Sequence, residues 1–300
     1  MQLTLLLSVV APAVVATLLV AIGHQLWRRP GPPVERGRWS LSLAPVAGSL
    51  AAFVAVKGRL PELPPTSASE WPLWMGALAA VYGLLVGSTS VPTPARWAAR
   101  VAGSGATAYL VLAPLLGRPE SAGAAWIVGG AVALVGIWSA LESCAEVHAG
   151  VALPLALTVW ATAVATTLGL TGSALLAQAA GGLVTALGVV MVASLLRPEL
   201  RWARSGLGPV VLTLGGLVLA GVHWSDLPAA SAALLGAGAA LLALFRLPRL
   251  QLSGLGRTLA MTLLTAALGG AAVAVGVSGA AEEAPVEDGY DDGYDDGYGY

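Results

Sequence analysis

Ten apolar stretches, with arginine concentrated in every second connection between them, constrain this chain more than any motif does. A helix rises 1.5 Å per residue, so about 20 apolar residues cross the hydrocarbon core of a bilayer. On that criterion the expected spans are 3–23, 40–56, 71–89, 101–116, 122–141, 150–170, 174–196, 207–222, 229–245 and 258–279. The connections after the first, third, seventh and ninth spans hold Arg28, Arg29, Arg36, Arg38, Arg96, Arg100, Arg197, Arg201, Arg204, Arg246, Arg249 and Arg257. The opposite side has only Lys57, Arg59 and Arg118. Basic residues accumulate in the cytoplasmic loops of membrane proteins. The arginine-rich face is therefore expected in the cytoplasm, with both termini outside, in a cytoplasmic (inner) membrane. An odd number of spans would break the alternation.

Composition points the same way. Only 10% of the 300 residues are charged and 57% are hydrophobic, whereas a soluble domain carries about 25% charged residues. The expected fold is all-α: a polytopic integral membrane bundle of about ten transmembrane helices over 1–279, followed by an acidic tail at 280–300. Half of the 16 acidic residues lie in that tail, which runs through Asp-Gly-Tyr repeats from Asp288 to Tyr300. A short, acidic, Gly-rich segment buries too little surface to order itself, and it is expected to be disordered. The lipid bilayer is the expected partner, with other membrane-protein subunits beside it. Nucleic acid is excluded as a partner, because the arginines are spread over short loops and do not gather on one face. The lone cysteine, Cys144, allows neither an intramolecular disulfide nor a cysteine-based metal site.

Local signals refine the ends of the spans. The second and fourth are short and suit tilted or half-inserted segments. Ser69-Glu70-Trp71-Pro72, Pro119-Glu120-Ser121 and Ser225-Asp226-Leu227-Pro228 combine acid or hydroxyl with proline, residue types that cap a helix start and tolerate its first turn. Arg38-Trp39, Arg96-Trp97 and Arg201-Trp202 read as anchors at the headgroup level.

Ionisable groups inside a membrane cost several kcal/mol and mark functional sites. The chain offers few. Glu142 and Glu146 are four residues apart, on one face if helical, and His148 follows. Two carboxylates and an imidazole can hold a metal ion or relay protons, and a solvated acidic turn is the plainer alternative. Thr158, Thr162 and Thr166 form an i, i+4 row that, with Gln178, can line a transport path. Such hydroxyls also commonly bond a backbone carbonyl or a neighbouring helix.

The phosphate loop GxxxxGK[ST], the zinc motif HExxH and the serine elbow GxSxG are missing. No catalytic residue and no cofactor is expected. The leading expectation is a non-enzymatic scaffold or subunit of a membrane complex. A transporter for an apolar or weakly polar small molecule is the alternative. A five-plus-five inverted arrangement suits ten helices, but the two halves show no residue-level match.

Overall fold

A computed structural model describes residues 2–27, 39–88, 91–118, 122–148, 150–196, 202, 206–247, 252 and 254–282. Ten α-helices follow in order: α1 (Gln2–Trp27), α2 (Trp39–Lys57), α3 (Trp71–Ser88), α4 (Thr93–Leu112), α5 (Gly123–Val147), α6 (Ala152–Leu170), α7 (Ala174–Leu196), α8 (Leu207–Trp224), α9 (Ala229–Ala240) and α10 (Gly254–Glu282). The 3₁₀ segments Ala113–Gly117 and Leu241–Arg246 extend α4 and α9. No strand occurs among the described residues. The chain is an all-α, multi-pass membrane bundle: eight of these helices are long and apolar enough to cross a bilayer. In α1 and α3 the described apolar stretches are shorter, Leu7–Gly23 and Trp71–Leu85. The repeats at 288–300 lie outside the described residues.

The second span is among the shorter ones, as expected, with 18 residues at Ser40–Lys57, but the fourth, with 25 at Thr93–Gly117, is not. The fourth is long because it starts earlier. α4 begins at Thr93, with Pro94 in its first turn, and carries Arg96 and Arg100 inside the helix. An apolar window leaves out these guanidinium groups; the helix includes them because other side chains satisfy them. Likewise α5 continues to Val147, so Glu142, Cys144 and Glu146 are helical and His148 caps the end.

The helices associate in two comparable sets. α1 packs on α2 as α6 packs on α7, and α4 packs on α5 as α9 packs on α10. Between the sets, α2 meets α7 and α3 meets α8. These four within-set and between-set pairings recur with a shift of five helices. The sets are not identical. α6 packs closely on α10, whereas α1 leans on α7 and makes no comparable contact with α5 among the described residues.

The α2–α7 crossing supplies a residue-level match between halves. A Cβ on Gly48 would lie 2.8 Å from the Gly182 carbonyl and 2.6 Å from the Ala186 Cβ. A Cβ on Gly182 would lie 2.7 Å from the Gly48 carbonyl and 2.5 Å from the Ala52 Cβ. Gly48 and Ala52 thus meet Gly182 and Ala186 reciprocally, backbone to backbone. Lipid offers no hydrophobic drive between helices, so close van der Waals approach of small residues holds such a crossing.

α8 runs through the centre, buried from Leu207 to Val218 and in contact with α2, α3, α4, α5, α6, α7 and α9. Its glycines admit large neighbours: Trp138 sits over Gly208, Leu134 over Gly215 and Pro72 over Gly216.

On the face opposite the arginines, the α2–α3 connection is built around Glu70, only 3% exposed. Its carboxylate accepts the Glu62 N–H at 3.0 Å and faces the Arg59 guanidinium at 3.5 Å. The Trp74 indole donates to the Glu62 carbonyl at 2.9 Å. Glu70 therefore ties down the connection that precedes it. Asp226 takes a left-handed φ of 51°, and Pro228 caps α9 without a side-chain hydrogen bond. Trp202 also departs from its anchoring expectation: it is 3% exposed, with its ring against Gly206. Trp97 is 45% exposed.

Candidate functional site

Along α4 the polar residues Arg96, Arg100, Ser104 and Thr107 recur at helical spacing and so share a face. Ser104 and Thr107 on that face are buried. Arg100 lies seven residues after Thr93, roughly 10 Å along the helix axis at 1.5 Å per residue. Glu142 lies on α5, more than a turn before its arginine-face end. The two form an ion pair, with side chains 12% and 8% exposed.

Each partner is held from a second side. The Trp138 indole, one turn earlier on α5, donates to the other Glu142 oxygen at 2.7 Å. Arg100 also donates to the Ser139 hydroxyl at 3.4 Å, and its guanidinium lies 4.9 Å from the Trp97 ring centre. A carboxylate removed from water survives when its lone pairs are occupied, and here an indole and a guanidinium occupy them. Tyr82 on α3 lies within the electrostatic reach of Glu142, Arg100 and Arg96, and its hydroxyl has no hydrogen-bond partner among the described residues.

The pair forms the floor of a cavity of about 610 Å³. Arg96, Trp97 and Thr93 line the α4 side, Ser139, Ser143 and Glu146 the α5 side, and Arg246 the end of the 3₁₀ segment after α9. Glu146 and Arg246 are exposed, so the cavity is a vestibule at the arginine-rich end of the bundle. It lies between α4–α5 of the first set and the α9 arm of the second.

The expected metal trio is placed as follows. Glu142 is bound to Arg100 and Trp138, and Glu146 lines the vestibule. His148 is 3% exposed and points elsewhere, its Nε2 lying 3.2 Å from the Phe245 carbonyl. A carbonyl only accepts, so Nε2 carries the proton. Among the described residues no three His, Cys, Asp or Glu side chains form a group that can hold a metal ion. Of the expected path residues, Thr158 donates to the Pro154 carbonyl and Thr162 to the Thr158 carbonyl, both at 2.8 Å. Thr162 and Thr166 are exposed on the outer side of α6, and Gln178 is half-buried on α7.

Burial and the positive charge of Arg257 hold the His148 pKa below its ordinary value, against the Phe245 hydrogen bond, which raises it. The folded state thus favours the neutral ring. Its contribution to stability is complete above the unfolded pKa, about 6.5, and is lost as pH falls toward the lowered folded value. Melting curves in mild detergent at pH 8 and pH 5 check this. The wild type is expected to lose more stability on acidification than His148→Asn, and parallel curves would refute the assignment.

No family model matches the chain, and no curated protein matches it.

Arg96 and Arg100 were the residues missed from sequence. Their signal was present in the Thr93-Pro94 helix start and in the helical spacing of Arg96, Arg100, Ser104 and Thr107.

Proposed function

We propose that this multi-pass membrane protein is a carrier for a small polar solute, which it loads through the vestibule at the arginine-rich face. One observation carries the reading: a buried Arg100–Glu142 ion pair on the floor of a cavity of about 610 Å³ between the two helix sets. Ionisable pairs within a membrane are costly, and they characteristically line substrate paths. The recurrence of pairings between α1–α5 and α6–α10 supports the same reading, because carriers built from inverted repeats bind substrate at the interface of the repeats. The solute class follows from the lining, which is polar and charged; this departs from the apolar or weakly polar solute expected from the helix number and the threonine row.

A rigid scaffold within a membrane complex is the second reading. It is favoured by α8, whose glycines are filled by Trp138, Leu134 and Pro72. Proteoliposomes separate the two. Vesicles are incubated with a defined mixture of polar metabolites, washed, and their contents analysed by mass spectrometry. Retention of one chemical class by the wild type, lost when Ser139→Trp fills the vestibule, supports the carrier. Contents equal to those of protein-free vesicles reject it.

We place the arginine-rich face in the cytoplasm and both termini outside, in the cytoplasmic membrane, on the charge asymmetry of the loops. Reporter tags near Gly31 and at Tyr300 are expected in different compartments. The Gly31 tag is expected inside and the Tyr300 tag outside; the opposite placement would reverse that assignment, and both tags in one compartment would overturn the topology.

A further inference from the structure

We propose that the vestibule binds a phosphate group, with the guanidinium groups of Arg246, Arg96 and Arg100 graded from its mouth to its floor. The proposal rests on the vestibule being the loading site described above and names the chemistry of what loads there. Arg246 is exposed, Arg96 is half-buried and Arg100 is nearly buried. Arg246 has no hydrogen bond or ion pair among the described residues, and Arg96 donates only to the Thr93 hydroxyl, at 3.0 Å. Their free N–H groups form planar forks, and such forks match pairs of oxygens on a tetrahedral oxyanion.

The carboxylates set the balance. Glu142 is neutralised by Arg100, while Glu146 stands on the wall and opposes an anion. The lining keeps one net positive charge. The hydroxyls of Thr93, Ser139 and Ser143 add donors that reach oxygen without adding charge. The cavity volume exceeds that of a phosphate ion, so there is room for a larger ligand that carries the phosphate at one end. Trp97, on the α4 wall of the cavity, offers an apolar surface to the remainder.

Two sources carry this group: a soluble phosphorylated metabolite or the headgroup of an anionic phospholipid. Binding of inorganic phosphate to the full chain in a neutral detergent is followed by calorimetry at fixed ionic strength. Phosphatidylglycerol and phosphatidylcholine nanodiscs are compared by native mass spectrometry. Arg96→Gln and Arg246→Gln are each expected to weaken binding about tenfold or more, the loss of one charge-assisted contact. Glu146→Gln is expected to tighten it. Arg257→Gln removes an arginine of the same face outside the vestibule and should leave it unchanged. Arg246 is exposed, so its variant folds even if Arg96→Gln does not.

Saturable phosphate binding with this order of variants supports a soluble ligand. Weak phosphate binding with one retained phosphatidylglycerol, released by Arg246→Gln, supports a lipid headgroup. Absence of both overturns the proposal, as does a loss with Arg257→Gln equal to that with Arg246→Gln. Because binding is read without flux, phosphate binding in a protein that retains no solute in vesicles would reject the carrier and leave the site standing. Solute retention without phosphate binding would do the reverse.

Discussion

Arg100→Met is expected to destabilise the protein by about 3–5 kcal/mol, the loss typical when one member of a buried ion pair is removed and the other stays charged. Glu142 would then lose its guanidinium partner, in surroundings where its side chain is 8% exposed. Glu142→Leu alone should be costly too, because it strands the guanidinium and leaves the indole without an acceptor. The double variant Arg100→Met/Glu142→Leu is the informative arm. Replacing both charges with apolar side chains of similar volume is often neutral or stabilising, so it should regain most of the lost stability. Melting temperatures of the four proteins in one detergent complete the cycle. A double variant as unstable as the sum of the single variants would show that the residues do not act as a pair. If it melts like the wild type yet retains no solute in vesicles, the charges serve transport rather than folding.

The second large effect is expected at the α2–α7 crossing. Gly182→Leu places its Cβ against the Gly48 carbonyl and the Ala52 Cβ, at 2.7 and 2.5 Å. Neither contact is the movable end of a flexible side chain, so the helices must part. Overpacking of this kind costs about 1–3 kcal/mol, occasionally more, and here it also loosens the close approach that holds the two sets together. The neighbouring Gly181 faces open space. There Gly181→Ala is expected to be neutral or to stabilise by up to about 1 kcal/mol, since alanine is the better helix former. Opposite signs at adjacent glycines would show that packing, not composition, sets the requirement. Equal melting temperatures for the two variants would contradict the crossing.

Much of this architecture was legible from sequence. Lipid as solvent forces the backbone to satisfy itself within helices, so apolar length and arginine placement were enough to mark ten helices. The errors fell at the charged ends. Hydropathy ends a span where guanidinium groups begin, whereas in α4 the helix runs on because Glu142, Ser139 and Thr93 receive those groups. That compensation comes from α5, some forty residues away, and no local window contains it. The sequence marks Glu142 as chemically important, but proximity along the chain pairs it with Glu146 and His148. Packing instead turned His148 to Phe245 and gave Glu142 to Arg100. The Gly48–Gly182 seam was invisible for another reason: in a chain with 38 glycines, one more small-residue pair carries no signal until it is seen facing its counterpart.

The position of Arg100 also bears on how the chain is made. A ribosome delivers α4 to the insertion machinery before α5 exists, and an arginine near mid-helix opposes insertion by about 2.5–3.5 kcal/mol. The acid that relieves that penalty is synthesised 42 residues later. α4 is thus poorly suited to settle in lipid alone, and the α4–α5 hairpin is best delivered to the bilayer as a unit.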